Sequence, residues 1–64
     1  MQDVIQQQID MFPGSKMTVF VGSEEYAGVP LSVSGGILKI KLQDGMVAIL
    51  VRSIDAVTVM ELAQ

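Results

Sequence analysis

The sequence predicts a mainly β protein, in which a short N-terminal α-helix precedes five short antiparallel strands, with a strongly bent second strand that suits a small barrel. Apolar residues recur at helical spacing only before Pro13. After Gly14 the chain consists of short runs rich in β-branched and aromatic residues, separated by glycine-containing turns. The pair Asp44-Gly45 between two apolar runs is a strong sign of a β-hairpin. The 64 residues, 1–64, make a single domain.

Composition indicates that this domain gains stability by self-association. A domain of this size buries only about 60% of the surface that its unfolded chain exposes, and the usual supplements are disulfides, a metal or oligomerisation. The sequence contains no Cys and no His, and its seven acidic residues are scattered, so we expect no disulfide, metal or other cofactor. Oligomerisation is then the remaining source of additional stability. The composition agrees, since half of the residues are apolar and the mean hydropathy is +0.50.

Charge and hydropathy restrict the partners and the location. The net charge is −3, with Lys16, Lys39, Lys41 and Arg52 as the basic residues, which disfavours a broad electrostatic surface for nucleic acid but allows a local patch. No apolar run approaches the roughly 18 residues of a transmembrane helix. The N-terminus lacks the basic region and apolar segment of a signal peptide. We expect a soluble cytoplasmic protein without a membrane partner.

The N-terminal segment 2–12 is predicted to form one amphipathic helix. Ile5, Ile9 and Phe12 recur at helical spacing, with Met1 and Val4 beside them. Glutamines fall on the other side, namely Gln2, Gln6 and Gln7. The Pro-Gly pair that follows ends the helix. Because three turns of helix are too short to be stable alone in water, we expect this helix to pack on the strands.

The five strands are predicted at residues 16–21, 26–34, 37–42, 46–52 and 55–61. In the second strand Pro30 cannot donate a ladder hydrogen bond, so its amide points away from a partner or sits at a bulge. Gly28 favours strong bending of the same strand, which suits a barrel better than a flat sheet. If this strand is regular, its two faces carry Tyr26, Gly28, Pro30, Ser32 and Ser34, and Ala27, Val29, Leu31 and Val33.

The hairpin around Asp44-Gly45 gives the most specific prediction of strand pairing. With a two-residue turn, Gln43 faces Met46. One face then pairs only aliphatic residues: Leu42 with Val47, Ile40 with Ile49, and Leu38 with Val51. The opposite face is mixed: Lys41 with Ala48, Lys39 with Leu50, and Ile37 with Arg52. A slip of one residue would bring lysines into the core, so the register is predicted to be well determined.

The order of elements and two local motifs resemble the Sm/LSm/Hfq family over roughly residues 3–60. The segments GSKMTVFVG and YAGVPL are similar to the first Sm motif, and LVRSIDAVTV is similar to the second. The matching glycine and apolar positions are Gly14, Val19, Tyr26, Gly28 and Leu31, and Ile54 and Val57 keep the three-residue spacing of the Hfq version. The resemblance implies an N-terminal helix on a five-stranded, SH3-like open barrel.

In that family the fourth strand of one subunit pairs with the fifth strand of the next, and repetition closes a ring of five to seven subunits. In the last strand here, Val57 and Val59 are expected inward and Ala56, Thr58 and Met60 outward. The resemblance implies an oligomer interface at Met46, Ala48, Leu50, Val57, Thr58, Val59 and Met60. Such a ring would cover the exposed sheet edges.

The resemblance further implies that single-stranded RNA meets two loops near the pore of the ring. The implied RNA-binding residues are Ser34, Gly35, Gly36, Arg52 and Ser53, with Lys39 and Lys41 as a basic band around the ring. Ser34 stands at the position of the family's Asp, while the stacking residue and the Asn are missing here. Arg52 can bind phosphate or stack on a base.

Each of these residues also has a structural interpretation. Arg52 can instead end a strand and pair with Asp55 or with an acidic residue of a neighbouring subunit. The lysines can form a solvated face that keeps the sheet soluble, which we favour. Gly35-Gly36 is far commoner as a turn than as a nest of amides that binds an anion.

No enzymatic activity or small-molecule substrate is expected. The chain offers no His, no Cys and no spacing that forces two carboxylates together, and a domain this small has little room for a substrate cleft. Two functions remain beside an RNA-binding ring. One is a structural or protein-interaction ring of the same fold without RNA activity, and the other is a monomeric SH3-like barrel that binds a peptide.

Overall fold

The computed structural model describes residues 1–60 and confirms the mainly β class. The elements are α1 (Gln2–Met11), β1 (Lys16–Val21), β2 (Glu24–Ser34), β3 (Ile37–Lys41), β4 (Met46–Leu50), a 3₁₀ turn (Val51–Ser53) and β5 (Ala56–Met60). β2 begins two residues earlier than predicted. The prediction of strand at residues 51–52 is wrong, because they belong to the 3₁₀ turn. The predicted last residue of the fifth strand, 61, lies outside the described residues.

Helix α1 packs against β2. Ile5 is fully buried and Ile9 is half-buried, as the helical spacing predicted. Met1 and Val4, predicted beside them, are instead 53% and 51% exposed. Gln2, predicted on the outer side, is half-buried because its side chain reaches the turn between β2 and β3. The buried side of the helix is therefore narrower than predicted and includes one amide.

The five strands form one antiparallel sheet in the order β4-β3-β2-β1-β5. β1 and β2 are joined by a two-residue turn, because Val21 pairs with Glu24 across Gly22 and Ser23. Gly22 has a φ of 60°, which suits the first central position of a type II′ turn. The sheet does not close into a barrel, so β4 and β5 are its two edges.

Strand β2 contains a bulge next to Pro30, which is one of the two possibilities that the sequence left open. The register with β3 shifts between Pro30 and Ser32, which leaves Leu31 as the extra residue. The predicted faces are therefore wrong beyond this point, because an extra residue reverses the alternation of side chains. The outward residues are Ala27, Val29, Ser32 and Ser34, all exposed, while Gly28 and Val33 are buried.

Gly28 lies against the backbone of β3. A Cβ atom built at this position would collide with the carbonyl oxygen of Lys41 and come within 2.8 Å of the Cγ2 atom of Ile40. Any side chain here would have to move backbone atoms of β3. The strand therefore needs a glycine at this point, next to the bulge.

The register of the β3–β4 hairpin differs by two residues from the predicted one. Its pairs are Ile37 with Leu50, Leu38 with Ile49, Lys39 with Ala48, Ile40 with Val47, and Lys41 with Met46. Residues 42–45 form a four-residue connection, in which the amide of Leu42 donates to the carbonyl of Gly45 at 2.7 Å. Asp44 and Gly45 lack the positive φ that a type I′ turn requires. A shift of two preserves the faces, so the aliphatic set still faces inward.

The core lies between the inner face of the sheet and α1. Its buried residues are Ile5, Met17, Val19, Val33, Leu38, Ile40, Ile49, Val51 and Ile54. The aliphatic residues that were predicted to face inward from the hairpin all belong to this core or pack against it. In β5 the predicted alternation is confirmed, since Val57 and Val59 are half-buried and Ala56, Thr58 and Met60 are exposed.

Candidate functional site

The turn between β2 and β3 consists of Gly35 and Gly36. Both glycines have a positive φ, 57° and 77°, and Ser34 pairs with Ile37 on either side of them. This geometry is that of a type I′ turn, which strongly favours glycine at both central positions. The prediction of a turn at this pair is therefore confirmed. The side chain of Ser34 is exposed beside it.

Two other elements hold this turn in place. The side-chain oxygen of Gln2 accepts a hydrogen bond from the amide of Gly36 at 2.7 Å. The carbonyl of Gly36 accepts a hydrogen bond from the amide of Val51 at 2.9 Å. The glycine turn thus contacts both the start of α1 and the 3₁₀ turn. The Gly36 amide already donates to Gln2, so it is not available to donate to an anion bound at the glycine pair.

The 3₁₀ turn presents Arg52 and Ser53 to solvent from a buried base. Val51 and Ile54 are 7% and 8% exposed, and the amide of Ile54 donates to the carbonyl of Val51 at 3.0 Å. Arg52 and Ser53 are exposed between these two anchors. The two loops that the family resemblance singled out are therefore adjacent in the fold, because Val51 binds Gly36 directly. We call the surface formed by residues 34–36, Arg52 and Ser53 the turn surface.

Asp55, the suggested partner of Arg52, has a different contact. Its side-chain oxygen Oδ2 accepts a hydrogen bond from the amide of Gly22 at 2.7 Å. Its own amide donates to the carbonyl of Phe20 at 2.8 Å. Asp55 therefore fastens the start of β5 to the end of β1 and to the turn that follows it.

Lys39 and Lys41 lie on the outward side of β3, as predicted, but not in the turn surface. Both side chains are exposed, and they pair with Ala48 and Met46 of β4. Lys41 stands five positions beyond Gly36, which corresponds to about 16 Å along an extended strand. The structure thus separates at least Lys41 from the two loops.

The edge strands carry the residues proposed for self-association. Met46 and Leu50 on β4 are 60% and 46% exposed, and Met60 on β5 is 69% exposed. Ala48 and Thr58, at the middle of the two strands, are also exposed. Val57 and Val59 are half-buried and point to the inner face.

Two residues of interest were missed by the sequence analysis. Gln2 was assigned to the outer side of the helix, and only its place in the first turn of α1, close to the sheet, could have indicated a contact. Lys16 lines a groove of about 530 Å³ together with Lys41. The turns at Gly22-Ser23 and Gly35-Gly36 set the pairing of β2 with β1 and with β3. Counting back from these turns would have placed both lysines beside Val29 if the bulge in β2 had been located.

Comparisons with known proteins return no relative. No protein-family model matches the chain, and comparisons with curated proteins and with solved structures return no significant match. Within residues 1–60, no three acidic side chains lie close enough together to hold a metal ion. No helix in this part of the chain has the length and apolar character needed to cross a membrane.

Proposed function

We propose that this chain is a cytoplasmic, Sm-like subunit that forms a ring with copies of itself and binds single-stranded RNA at the turn surface. The observation that carries the proposal is the order of strands in the sheet. β4 and β5 are the two edges of the same sheet, and both are five residues long. Edges of this kind offer unpaired backbone groups to another chain.

The two edges are complementary in length and in the pattern of their side chains. Each strand alternates exposed outward residues with inward residues that belong to the core or pack against it. Pairing all five residues of each strand places Ala48 opposite Thr58, whichever way the strands run. The inward valines of β5 would then continue the apolar layer formed by Val47 and Ile49. A contact between two different edges is heterologous, and it closes into a ring when the rotation permits.

Cysteine cross-linking tests this pairing directly, because the natural chain contains no Cys. We expect oxidation of the double variant Ala48→Cys/Thr58→Cys to give a ladder of covalent oligomers on a non-reducing gel. Each single variant should run as a monomer on the same gel. In the ring its cysteine on β4 or β5 faces a strand of the neighbouring subunit that carries no cysteine. A covalent dimer of Ala48→Cys alone would contradict the ring, since it would mean that two β4 edges pair with each other.

The RNA part of the proposal is supported by the contact between the two loops. Gly36 and Val51 are joined by a hydrogen bond, and the exposed Arg52 follows directly. An arginine can form hydrogen bonds with phosphate and stack on a base. A ring would repeat this arginine once per subunit around one axis, so a weak individual contact would be multiplied.

Binding of U-rich and A-rich oligoribonucleotides over a series of salt concentrations tests the RNA function. We expect binding at low salt that weakens as salt rises, because phosphate contacts release counterions. Arg52→Gln should weaken it by at least about tenfold, because one charge-assisted hydrogen bond is worth about tenfold and the substitution removes it from every subunit that the RNA contacts. Arg52→Lys, which keeps the charge, should weaken it less. Absence of binding at low salt would exclude the RNA function.

A second candidate is a ring with a structural or protein-interaction role and no RNA activity. Two observations favour it: the turn between β2 and β3 has only glycines at its two central positions and so no ring on which a base could stack, and the amide of Gly36 is occupied by Gln2. The net charge of −3 also opposes nucleic acid. Native mass spectrometry together with the A260/A280 ratio of the purified protein separates the candidates. A ring with the absorbance ratio of protein alone, and no binding at low salt, would support the second.

A further inference from the structure

The outward face of the sheet contains a groove that neither the proposed ring nor the turn surface uses. It has a volume of about 530 Å³ and runs over the first half of β2, between β1 and β3. The residues that shape it are Lys16, Ala27, Val29, Lys41, Leu42 and Gln43. We call it the lysine groove. We propose that the lysine groove binds the phosphate group of a nucleotide between Lys16 and Lys41.

Strand register places the two lysines on opposite sides of one residue. Lys41 pairs with Val29 across β3 and β2, and Met17 pairs with Gly28 across β1 and β2. Lys16 therefore stands beside Val29 on the other side. Because neighbouring strands lie about 4.8 Å apart, the two Cα atoms are separated by about 10 Å. Flexible four-carbon stems allow both ammonium groups to approach a single phosphate above Val29.

The charges around the groove favour an anion, although the chain as a whole is acidic. Both lysines are exposed, and no carboxylate is among the described residues that line the groove. The acidic residue that shares the outward side of β2 is Glu25, four residues from Val29, or about 13 Å along the strand. On the β3 side the acidic residue next to the groove is Asp44, which follows Gln43 and is not part of the lining. Two cations in a lining without a carboxylate create a local positive potential that attracts an anionic ligand.

The rest of the lining indicates what accompanies the phosphate. Ala27, Val29 and Leu42 provide an apolar floor, and the small side chain of Ala27 leaves room above it. The amide of Gln43 can both donate and accept hydrogen bonds at the rim. A flat, partly apolar ring next to a phosphate matches this combination, which is the chemistry of a nucleoside monophosphate. A free mononucleotide and the terminal phosphate of an RNA strand present the same group.

This site is independent of the proposed function. The groove is formed by β1, β2 and the end of β3, and no residue of the β4 or β5 edge lines it, although Lys41 and Lys16 pair with Met46 and Met60 of those strands. Lys41 is at the end of β3 far from Gly36, Lys16 is at the start of β1, and Arg52 is not part of the lining. Arg52→Gln should therefore leave nucleotide binding in the groove unchanged, which separates failure of this proposal from failure of the turn surface.

NMR titration of the ¹⁵N-labelled full chain with AMP tests the site. We expect saturable shifts of amide signals at residues 27–29 and 41–43, with adenosine binding about tenfold more weakly because it lacks the phosphate. Lys16→Gln and Lys41→Gln should each weaken AMP binding by about tenfold. Lys39→Gln is the matched control, because it removes the same charge from the same side of β3 outside the groove, and it should change the affinity less than twofold.

Oligoribonucleotides with and without a 5′-phosphate distinguish the two sources of the group. Tighter binding of the phosphorylated strand than of AMP would identify an RNA end as the ligand, and equal or weaker binding would identify a free nucleotide. Two results would overturn the proposal. One is the absence of saturable shifts at millimolar AMP, and the other is an equal loss of affinity in Lys39→Gln and Lys16→Gln, which would indicate attraction to surface charge alone.

Discussion

The side-chain oxygen of Gln2 accepts a hydrogen bond from the backbone amide of Gly36 at 2.7 Å, although the two residues are 34 positions apart. The carbonyl of Gly36 in turn accepts a hydrogen bond from Val51. A single glycine thus joins the start of the helix, the β2–β3 turn and the 3₁₀ turn that carries Arg52. The position of the turn surface depends on this contact, and the contact depends on α1.

Replacing Gln2 by alanine should lower the free energy of unfolding by about 1–2 kcal/mol, because a partly buried backbone amide loses its acceptor. Urea unfolding followed by circular dichroism measures this change. Gln7→Ala is the control, since Gln7 is exposed on the same helix, and its effect should stay within about 0.5 kcal/mol. Equal stabilities of the two variants would show that the Gln2 contact contributes nothing in solution.

Replacing Gly28 by alanine should lower the free energy of unfolding by about 1–3 kcal/mol or more, because the new Cβ atom would collide with the backbone of Lys41. Thermal unfolding is the measurement, and a protein this small can lose its fold altogether. Gly45→Ala is the matched control. A Cβ atom at Gly45 meets nothing within 4 Å, so that variant should unfold within a few degrees of the natural protein. A stable, folded Gly28→Ala variant would contradict the close approach of β2 and β3.

The sequence predicted those parts of the fold that depend on local pattern. Alternation of apolar residues located the strands and the inner faces of β3, β4 and β5, though not that of β2 beyond Pro30, and the preference of glycine for positive φ located the Gly35-Gly36 turn. The hairpin register was wrong by two residues, because Asp44-Gly45 was read as a two-residue type I′ turn. Turn type depends on the backbone angles, and the same dipeptide is compatible with the four-residue connection that is present.

The candidate site could be predicted only where the family pattern marks it. Residues 34–36 and Arg52 were singled out by resemblance, and the Gly36–Val51 hydrogen bond brings them together. The contact of Gln2 with Gly36 and the placement of Lys16 and Lys41 on either side of Val29 were not predicted. Both depend on where separate elements meet, and a bulge of one residue at Leu31 decides which side of β2 faces the lysines.

Asp55 and Arg52 should behave as independent residues in a double-mutant cycle. The carboxylate of Asp55 accepts a hydrogen bond from the Gly22 amide at 2.7 Å, so Asp55→Ala should cost about 1 kcal/mol through that contact alone. We expect the coupling energy between Asp55→Ala and Arg52→Gln in urea unfolding to stay within about 0.5 kcal/mol. A larger coupling would mean that Arg52 has the structural role of pairing with Asp55, and the turn surface would have no arginine free to bind phosphate.

Introducing a lysine at either sheet edge should break the proposed ring without unfolding the subunit. Leu50 on β4 and Met60 on β5 are 46% and 69% exposed, so Leu50→Lys and Met60→Lys are tolerated in one subunit but set a charged side chain beside the apolar residues of the neighbouring edge strand. Light scattering after size exclusion should give a ring for the natural chain and monomers for both variants. Leu31→Lys is the control, because Leu31 is 50% exposed at the bulge of an interior strand, and it should leave the ring intact. An unchanged ring in Leu50→Lys and Met60→Lys would show that these edges do not form the interface, and a monomeric natural chain would favour the peptide-binding barrel instead.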